Sequence, residues 1–371
     1  MKKNFLGTVM IINFITFLLS LSYEMVFSVL PFFLVNSIGV SMFVIGIIEG
    51  GYDLVSNLVK IFSGYWSDFL SRKRIIFWTI FLSIFGKLYF IFGKKWDDFI
   101  LGVVLEATSD GSLAPVKDTI LSAEKKENLG RTFGINRAFE NIGSFLGIFI
   151  ALIFLIFYLE TVDYQEYFYL SLAPLFLSLL LLIFLKIPRE KKPARIKIVT
   201  WEIFFPRYVF LFFLLSFANF GYSFYILKIY KQVENEAVTV GIYLLFSIII
   251  GLAALVSGKF FDRLGEKKHL EITVIMFILS HLFMIIFPVI GFIMFAFADA
   301  FLDIGIWATL GKKVKFRKGF VFGMYHFTVG FSSLIAGIIA GYLWESINAE
   351  APFIMGVIAS SIAFFIIKRY F

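Results

Sequence analysis

The chain has 371 residues, of which 60% are hydrophobic and only 16% are charged, and its mean hydropathy is +0.90. A soluble domain of this length cannot bury so much apolar surface, so the composition indicates a lipid bilayer as the solvent. Cysteine is absent, which excludes disulfides, thiol catalysis and cysteine-ligated metals. The net charge of +8 comes from short clusters between apolar runs, so we expect no nucleic-acid partner.

Apolar runs of about 20 residues recur between the charge clusters, which predicts membrane-spanning α-helices. The segments 148–157 and 178–185 are apolar on every face, and this excludes the alternating pattern of a β-barrel. The first run follows Lys2 and Lys3 without a cleavage site, so we expect a retained helix. We predict twelve spans, at 5–33, 41–66, 75–92, 97–119, 132–158, 167–186, 207–230, 239–261, 270–288, 291–310, 320–344 and 352–367.

Lysine and arginine residues outside these spans fall almost entirely on one side of the predicted membrane. Cytoplasmic loops are enriched in cations, so both termini are predicted to be cytoplasmic. The longest polar connection, residues 188–206, lies on the same side and carries many cations. We therefore predict a six-helix bundle at 1–187, a basic linker at 188–206 and a second six-helix bundle at 207–371.

Internal repetition supports two related halves. Three matches occur in order at offsets of 189 to 194 residues. They pair Gly64–Lys73 with Gly258–Lys267, Glu106 and Asp110 with Asp299 and Asp303, and Phe133–Arg137 with Phe322–His326. The sequence thus predicts an all-α membrane protein made of two pseudo-symmetric bundles.

The residues around the first repeated motif resemble the major facilitator superfamily, which carries a Gly-x-x-x-Asp-Arg-x-Gly-Arg-Lys type loop after its second helix. The first copy matches at Gly64, Asp68, Arg72 and Lys73, and the second at Gly258, Asp262, Arg263, Gly265 and Lys267. Phe69, Ser71 and Glu266 depart from the pattern. The chain is similar to a poorly characterised prokaryotic subgroup, which implies a monomeric multi-pass protein of the plasma membrane.

The resemblance also implies a cytoplasmic gate built from Gly64, Asp68, Arg72 and Asp118, with Gly258, Asp262 and Arg263 in the second copy. Asp68 would face the start of the eleventh span, and Arg72 would reach Asp118 at the end of the fourth. The alternative is that the basic loop only enforces topology.

Ionisable residues inside the spans are the candidate transport residues, because each costs about 2.5–3.5 kcal/mol on insertion scales unless it is paired or hydrated. Glu106 with Asp110, Asp299 with Asp303, and Glu49 with Asp53 are four residues apart, which places each pair near one helix face. We expect the first two pairs to line one polar path. Arg137 is the expected counter-ion of Asp110. The candidate substrate and proton-coupling residues are Asp110, Glu106, Asp299, Asp303, Arg137, Asp53 and His326. The alternative is a set of fixed ion pairs between helices.

Carboxylates that outnumber nearby cations in a partly desolvated cavity can bind and release protons. We therefore expect a secondary active transporter that moves a small solute or ion by alternating access, with proton coupling and export of a cationic or amphiphilic compound. No catalytic motif, metal constellation or cofactor motif occurs, so an enzyme is the least favoured class. A lipid-moving or sensor-type protein, and uptake of an anionic metabolite bound by Arg137, remain the alternatives.

Glycines four residues apart indicate close helix packing at three places. They are Gly46 with Gly50, Gly143 with Gly147, and Gly337 with Gly341.

Overall fold

The computed structural model describes residues 2–66, 70–122, 129–158, 160–187, 206–313 and 318–370. Within these ranges all regular structure is helical. The helices are α1 (Lys2–Phe27), α2 (Leu30–Phe32), α3 (Met42–Trp66), α4 (Arg72–Phe92), α5 (Trp96–Ser122), α6 (Leu129–Phe157), α7 (Tyr164–Phe168), α8 (Leu172–Phe184), α9 (Pro206–Phe217), α10 (Tyr222–Val233), α11 (Glu236–Ile286), α12 (Pro288–Lys313), α13 (Lys318–Ser346) and α14 (Ala351–Tyr370).

Eleven helical segments in the described ranges are long and apolar enough to cross a membrane. The longest, α11, has 51 residues and is interrupted at Gly265, whose φ of +78° is a left-handed conformation that favours glycine. Residues 236–264 and 266–286 therefore form two spans, which correspond to the predicted eighth and ninth. The predicted all-α architecture of twelve spans is confirmed.

The chain forms two compact units. The first contains Met1–Phe33 and Val55–Val199, and the second contains Leu34–Leu54 and Thr200–Phe371. Residues 34–54 thus group with the second unit, although the predicted halves place them in the first. The predicted linker 188–206 lies outside the described residues except for Pro206, so the boundaries of the two halves stay a prediction.

The first unit has a core of branched aliphatic side chains from α1, α4, α5 and α8. It includes Ile12, Ile15, Ile76, Ile80, Val116, Ile120, Leu121, Leu175 and Leu182. A β-carbon at Gly143 of α6 would collide with the carbonyl oxygen of Phe17 in α1. The glycine spacing in α6 therefore marks a close helix crossing, as the sequence predicts.

The second unit has the same kind of crossing between α3 and α13. A β-carbon at Gly46 would collide with the carbonyl oxygen of Gly337, and one at Gly341 with that of Met42. Gly50 packs against the backbone of Ser333 and Leu334. These contacts attach residues 42–50 to the second unit.

Helix α10 contacts the turn before α14. Lys228 donates a hydrogen bond to Glu350, and the exposed fraction of the Lys228 side chain is only 9%. This hydrogen bond from Lys228 holds the pKa of Glu350 below its ordinary value of 4.5. The contact thus favours the ionised form of Glu350 in the folded protein.

Replacing Gly46 with Ala should lower the free energy of unfolding by about 1–3 kcal/mol, because the added methyl group must push α3 away from α13. Gly51→Ala is the matched control, since a β-carbon there meets no atom within 4 Å. In a helix interior that change should be neutral or stabilising by up to about 1 kcal/mol. Denaturation of both purified variants in detergent micelles measures the difference, and equal stabilities would contradict the close crossing.

Replacing Glu350 with Gln should lower stability at pH 7 by at most about 1 kcal/mol, because the pair is partly exposed. A depressed folded pKa stabilises the protein above the unfolded pKa, and this contribution is lost as the pH falls through the folded value. The difference between wild type and variant should therefore vanish well below pH 4.5. Thermal unfolding at pH 7 and at about pH 3 tests it, with exposed Glu234→Gln as the control. A difference that persists at the lower pH would assign the effect to packing instead.

Candidate functional site

The seventh predicted span is interrupted in the middle of its apolar run. Helix α9 ends at Phe217 and α10 begins at Tyr222, and Gly221 between them has a φ of +109°. An interruption leaves backbone groups without helical partners, and polar side chains usually satisfy them. His281 of α11 is buried beside this break, with its Nε2 3.1 Å from the carbonyl oxygen of Ala218 and 2.9 Å from the hydroxyl of Tyr225.

Asp299 of α12 accepts two hydrogen bonds from residues at this break. The side-chain amide of Asn219 donates to Oδ1 at 3.0 Å, and the Tyr222 hydroxyl donates to Oδ2 at 2.6 Å. Both donors are neutral, so they orient the carboxylate without cancelling its charge.

Glu49 of α3 lies on the other side of the same break. Its Oε1 accepts the backbone N–H of Ser223 at 3.1 Å and also the Ser223 hydroxyl. Ser223 is the second residue of α10, so the carboxylate occupies the positive end of that helix. Asp299 and Glu49 are thus held by adjacent residues, Tyr222 and Ser223.

Two further acids belong to this region. The negative charges of Asp53 and Asp303 repel that of Asp299. Asp303 is exposed and accepts a hydrogen bond from the Trp307 indole at 2.8 Å. We call Glu49, Asp53, Asp299 and Asp303 the acidic cluster.

Aromatic rings adjoin the acidic cluster on α12 and α13. The Trp307 ring centroid lies 5.7 Å from those of Tyr325 and His326, and the latter two are 5.4 Å apart. Tyr325 also interacts electrostatically with Asp53, Asp299 and Asp303. His326 therefore lies beside Trp307, the residue that contacts Asp303.

The acidic cluster carries an excess of negative charge. Among the residues that the structure describes, no lysine or arginine is within ion-pair distance of Glu49, Asp299 or Asp303. Nor do three His, Asp or Glu side chains come together there in a way that could hold a metal ion. Glu49, Asp299 and Asp303 thus accept hydrogen bonds from neutral donors.

The candidate acids of the first unit are arranged differently. Asp110 accepts a hydrogen bond from the Ser56 hydroxyl at 2.6 Å and lies 3.5 Å from the Lys60 ammonium, with 47% of its side chain exposed. The prediction that Arg137 is its counter-ion is wrong. Arg137 contacts Glu140 one turn along α6 at 3.4 Å, and Glu140 also pairs with Lys117. Lys60 takes the place beside Asp110 because α3 packs closely there, against Gly111.

Glu106 is buried inside the first unit, away from Asp110. It lies 3.1 Å from the Lys87 ammonium and accepts hydrogen bonds from the Ser83 hydroxyl at 3.0 Å to each oxygen. Four residues along a helix correspond to about 400°, so the two side chains diverge by about 40° and contact different neighbours. The expectation that both carboxylates line one path is corrected, because Glu106 faces α4 and Asp110 faces α3.

Lys87 has no exposed surface, and aromatic rings surround its ammonium. The distances from Nζ to the ring centroids are 5.7 Å for Tyr23, 5.2 Å for Phe27 and 5.8 Å for Phe90. Such rings attract a cation electrostatically. The Lys87–Glu106 pair is therefore a stabilising contact between α4 and α5.

The predicted gate residues lie at helix ends or near them. Asp68 falls outside the described residues. Gly64 is near the end of α3, Arg72 begins α4, and Asp118 is in the last turns of α5. Gly258, Asp262 and Arg263 precede the interruption at Gly265, which occupies the repeat position of Ser71, the residue before α4. The gate roles, including the pairing of Arg72 with Asp118, stay predictions.

The sequence pairs Glu49 with Asp53 by spacing, but Glu49 and the residues at the helix break are missing from the predicted candidate site. The available signal was the Asn219-Phe220-Gly221 tripeptide inside an apolar run, because asparagine and glycine there favour a break over a continuous helix. A second signal was Glu49 itself, which lies four residues before Asp53 on α3.

The family model described as Major Facilitator Superfamily matches residues 12–330. A protein of Methanocaldococcus jannaschii, described as an uncharacterised MFS-type transporter, is 28% identical over 96% of this chain and 92% of its own. A mutant of the nucleoside transporter NupG superimposes with a TM-score of 0.78 at 16% identity, covering 97% of this chain and 99% of its own. A POT family transporter in complex with 5-aminolevulinic acid also gives 0.78, at 13% identity over 97% and 94%. Both structural matches establish the fold.

Replacing Lys87 with Met should lower the free energy of unfolding by about 3–5 kcal/mol, because it leaves Glu106 buried without a cation. Lys94→Met, which removes an exposed lysine from the neighbouring loop, should have little effect. Adding Glu106→Leu to Lys87→Met should recover most of the loss. Denaturant titration of the three purified variants in micelles provides the values. If Lys87→Met matches Lys94→Met in stability, the pair does not join α4 to α5.

Proposed function

Since the chain belongs to the major facilitator superfamily and is a membrane transporter, we propose that it is a secondary active transporter that exchanges protons for a small cationic solute. Alternating access would expose the acidic cluster first to one side of the membrane and then to the other. The proposal takes its substrate class from the charge of this cluster.

The observation that carries the proposal is the acidic cluster and its neutral partners. An ionised carboxylate inside a membrane costs about 2.5–3.5 kcal/mol unless something compensates its charge. Asn219, Tyr222 and Ser223 supply hydrogen bonds but no positive charge. A proton or a cationic solute would supply the charge, and competition between the two is what exchange requires.

Competition would proceed at Asp299 as follows. In the ionised state both carboxylate oxygens accept hydrogen bonds, one from Asn219 and one from Tyr222. A proton on either oxygen removes one acceptor site and the charge that attracts a cation. A solute released on one side would thus be replaced by a proton, and an inward proton gradient would drive export.

The first unit would contribute positioning and gating. Three of its cations, Lys60, Lys117 and Arg137, lie with Asp110 and Glu140 in paired contacts. We propose that these pairs hold α3, α5 and α6 together and that the predicted gate residues close the cytoplasmic side. The proposal includes a monomer in the plasma membrane of a prokaryote, with both termini in the cytoplasm.

One observation favours a second candidate function, the uptake of an anionic metabolite. The Arg137 side chain is 70% exposed, and its ion pair with Glu140 is long, at 3.4 Å. The guanidinium can therefore donate hydrogen bonds to another partner. In that case Arg137 would bind the anion, and the acidic cluster would carry only the symported proton.

Replacing Asp299 with Asn should abolish the pH dependence of transport, because asparagine keeps the size of the side chain but cannot bind a proton. In proteoliposomes with an imposed pH gradient, ethidium movement by this variant should fall at least about tenfold, equivalent to about 1.4 kcal/mol. The control is Glu234→Gln, an exposed acid between α10 and α11. Binding of ethidium, measured by thermal stabilisation, should weaken, because the variant lacks the charge that attracts the cation.

Two results would redirect the assignment. If Asp299→Asn keeps the wild-type rate and pH profile, the carboxylate is structural and the proposed coupling site is wrong. If the gradient drives lactate instead of ethidium, and Arg137→Gln abolishes that movement, the second candidate function is correct. Stabilisation and movement of a phospholipid probe alone would favour a lipid-moving protein.

A further inference from the structure

We infer that Glu49 is a second proton-binding residue, and that its protonation releases residues 34–54 from the N-terminal end of α10. The inference rests on the proposed proton coupling and assigns it a structural consequence. Glu49 precedes α10 in sequence by more than 170 residues but accepts hydrogen bonds from it directly.

The Glu49 carboxylate occupies a site that suits an anion. It accepts the Ser223 backbone N–H at 3.1 Å and the Ser223 hydroxyl, at the N-terminal end of a helix of 12 residues. Hydrogen bonds to an ionised acceptor are about twice as strong as those to a neutral one, and the helix dipole adds to them. Protonation of Glu49 removes both advantages.

Gly221 provides the room for this carboxylate. A β-carbon at Gly221 would lie 2.8 Å from Cβ and 2.9 Å from Oε2 of Glu49, and the φ of +109° also disfavours any other residue. Both the conformation and the space at position 221 therefore fit the Glu49 side chain. The contact is a specific part of the fold.

Two other carboxylates also contact residues 34–54, but in exposed positions. Asn36 donates to Glu236 at 2.7 Å, and the Phe43 N–H donates to Glu345 at 2.9 Å, so water competes for both contacts. Gly46 and Gly50 pack against the backbone of α13, which is insensitive to pH. Of these three carboxylate contacts, the one between Glu49 and Ser223 is the least exposed, so we expect a proton to change its strength most.

The groups that adjoin Glu49 are neutral or negatively charged. Asp53 on the same helix repels its charge. From α10 the neutral phenol of Tyr222 is adjacent, and it connects to Asp299 of α12. From α13, Ser333 and Leu334 are neutral, and Tyr325 interacts with Asp53. None of these groups supplies a cation to Glu49.

The two acids are coupled through the backbone of α10. Tyr222 binds Asp299 and the next residue, Ser223, binds Glu49, so a shift of this turn changes both contacts. A proton on Glu49 would loosen α3 from the turn that orients Asp299. Proton binding would in this way change both the attachment of α3 and the geometry of the proposed solute site.

Hydrogen–deuterium exchange of the full chain in detergent micelles, without solute or gradient, tests the inference. After correction for intrinsic rates, peptides from residues 34–54 should exchange about tenfold faster at pH 5 than at pH 8 in the wild type. Glu49→Gln should exchange fast at both pH values. Ser223→Ala, which removes only the hydroxyl donor, should raise exchange at pH 8 and reduce the response to pH.

The matched control is Glu345→Gln, which alters an exposed carboxylate that contacts the same segment and should keep the wild-type ratio. A wild-type ratio near one, or a Glu49→Gln variant with the wild-type pH response, would overturn the inference. Since the exchange experiment applies no gradient, its outcome is independent of the outcome of the transport assay. If exchange responds as expected while a pH gradient drives no ethidium, the proposed function fails and the role of Glu49 stands.

Discussion

The interruption between α9 and α10 determines the geometry of the acidic cluster. A continuous helix would hold the Ser223 N–H in an intrahelical bond and would turn Asn219 and Tyr222 along its own surface. The positive φ of Gly221 ends that regularity, so one short turn presents an amide, a phenol and a backbone N–H to two carboxylates. His281 and Tyr225, buried behind the turn, fix its other face. The positions of Asp299 and Glu49 therefore depend on a single glycine conformation.

The acidic residues described above have different kinds of partners in the two units. In the first, Asp110, Glu106 and Glu140 each have a lysine partner. In the second, Glu49 and Asp299 are stabilised by dipoles alone. A carboxylate paired with a lysine resists protonation, because protonation would leave the lysine without a counter-charge. A carboxylate that accepts hydrogen bonds from neutral donors has no such cost. The first unit thus carries a region of paired charges, and the second carries a group of carboxylates with neutral partners.

Hydropathy was sufficient to predict the twelve spans, because a bilayer requires about 20 apolar residues for each helix. The glycine spacings also predicted the close crossings at Gly143 and Gly46 correctly, since small residues are what such contacts need. Partners of the charged residues were harder to predict. Helical periodicity gives the face of the helix on which a residue lies, but it does not give the helix that packs against that face. Lys60 could therefore not be distinguished from Arg137 as the partner of Asp110. The spacing also identified Glu49 as a pair with Asp53, but it could not give the partner of Glu49, because that partner depends on a break in a helix far away in sequence.

The Lys87–Glu106 pair has a consequence for how the chain enters the membrane. Lys87, in the last third of α4, opposes the partition of that helix into lipid when it is alone, and Glu106 opposes the partition of α5 in the same way. Together they form a neutral contact that the Ser83 hydroxyl completes. Insertion of α4 as an isolated helix would therefore be less favourable than insertion of α4 and α5 as one hairpin. Biogenesis of the first unit would then involve the two helices leaving the translocon as a pair.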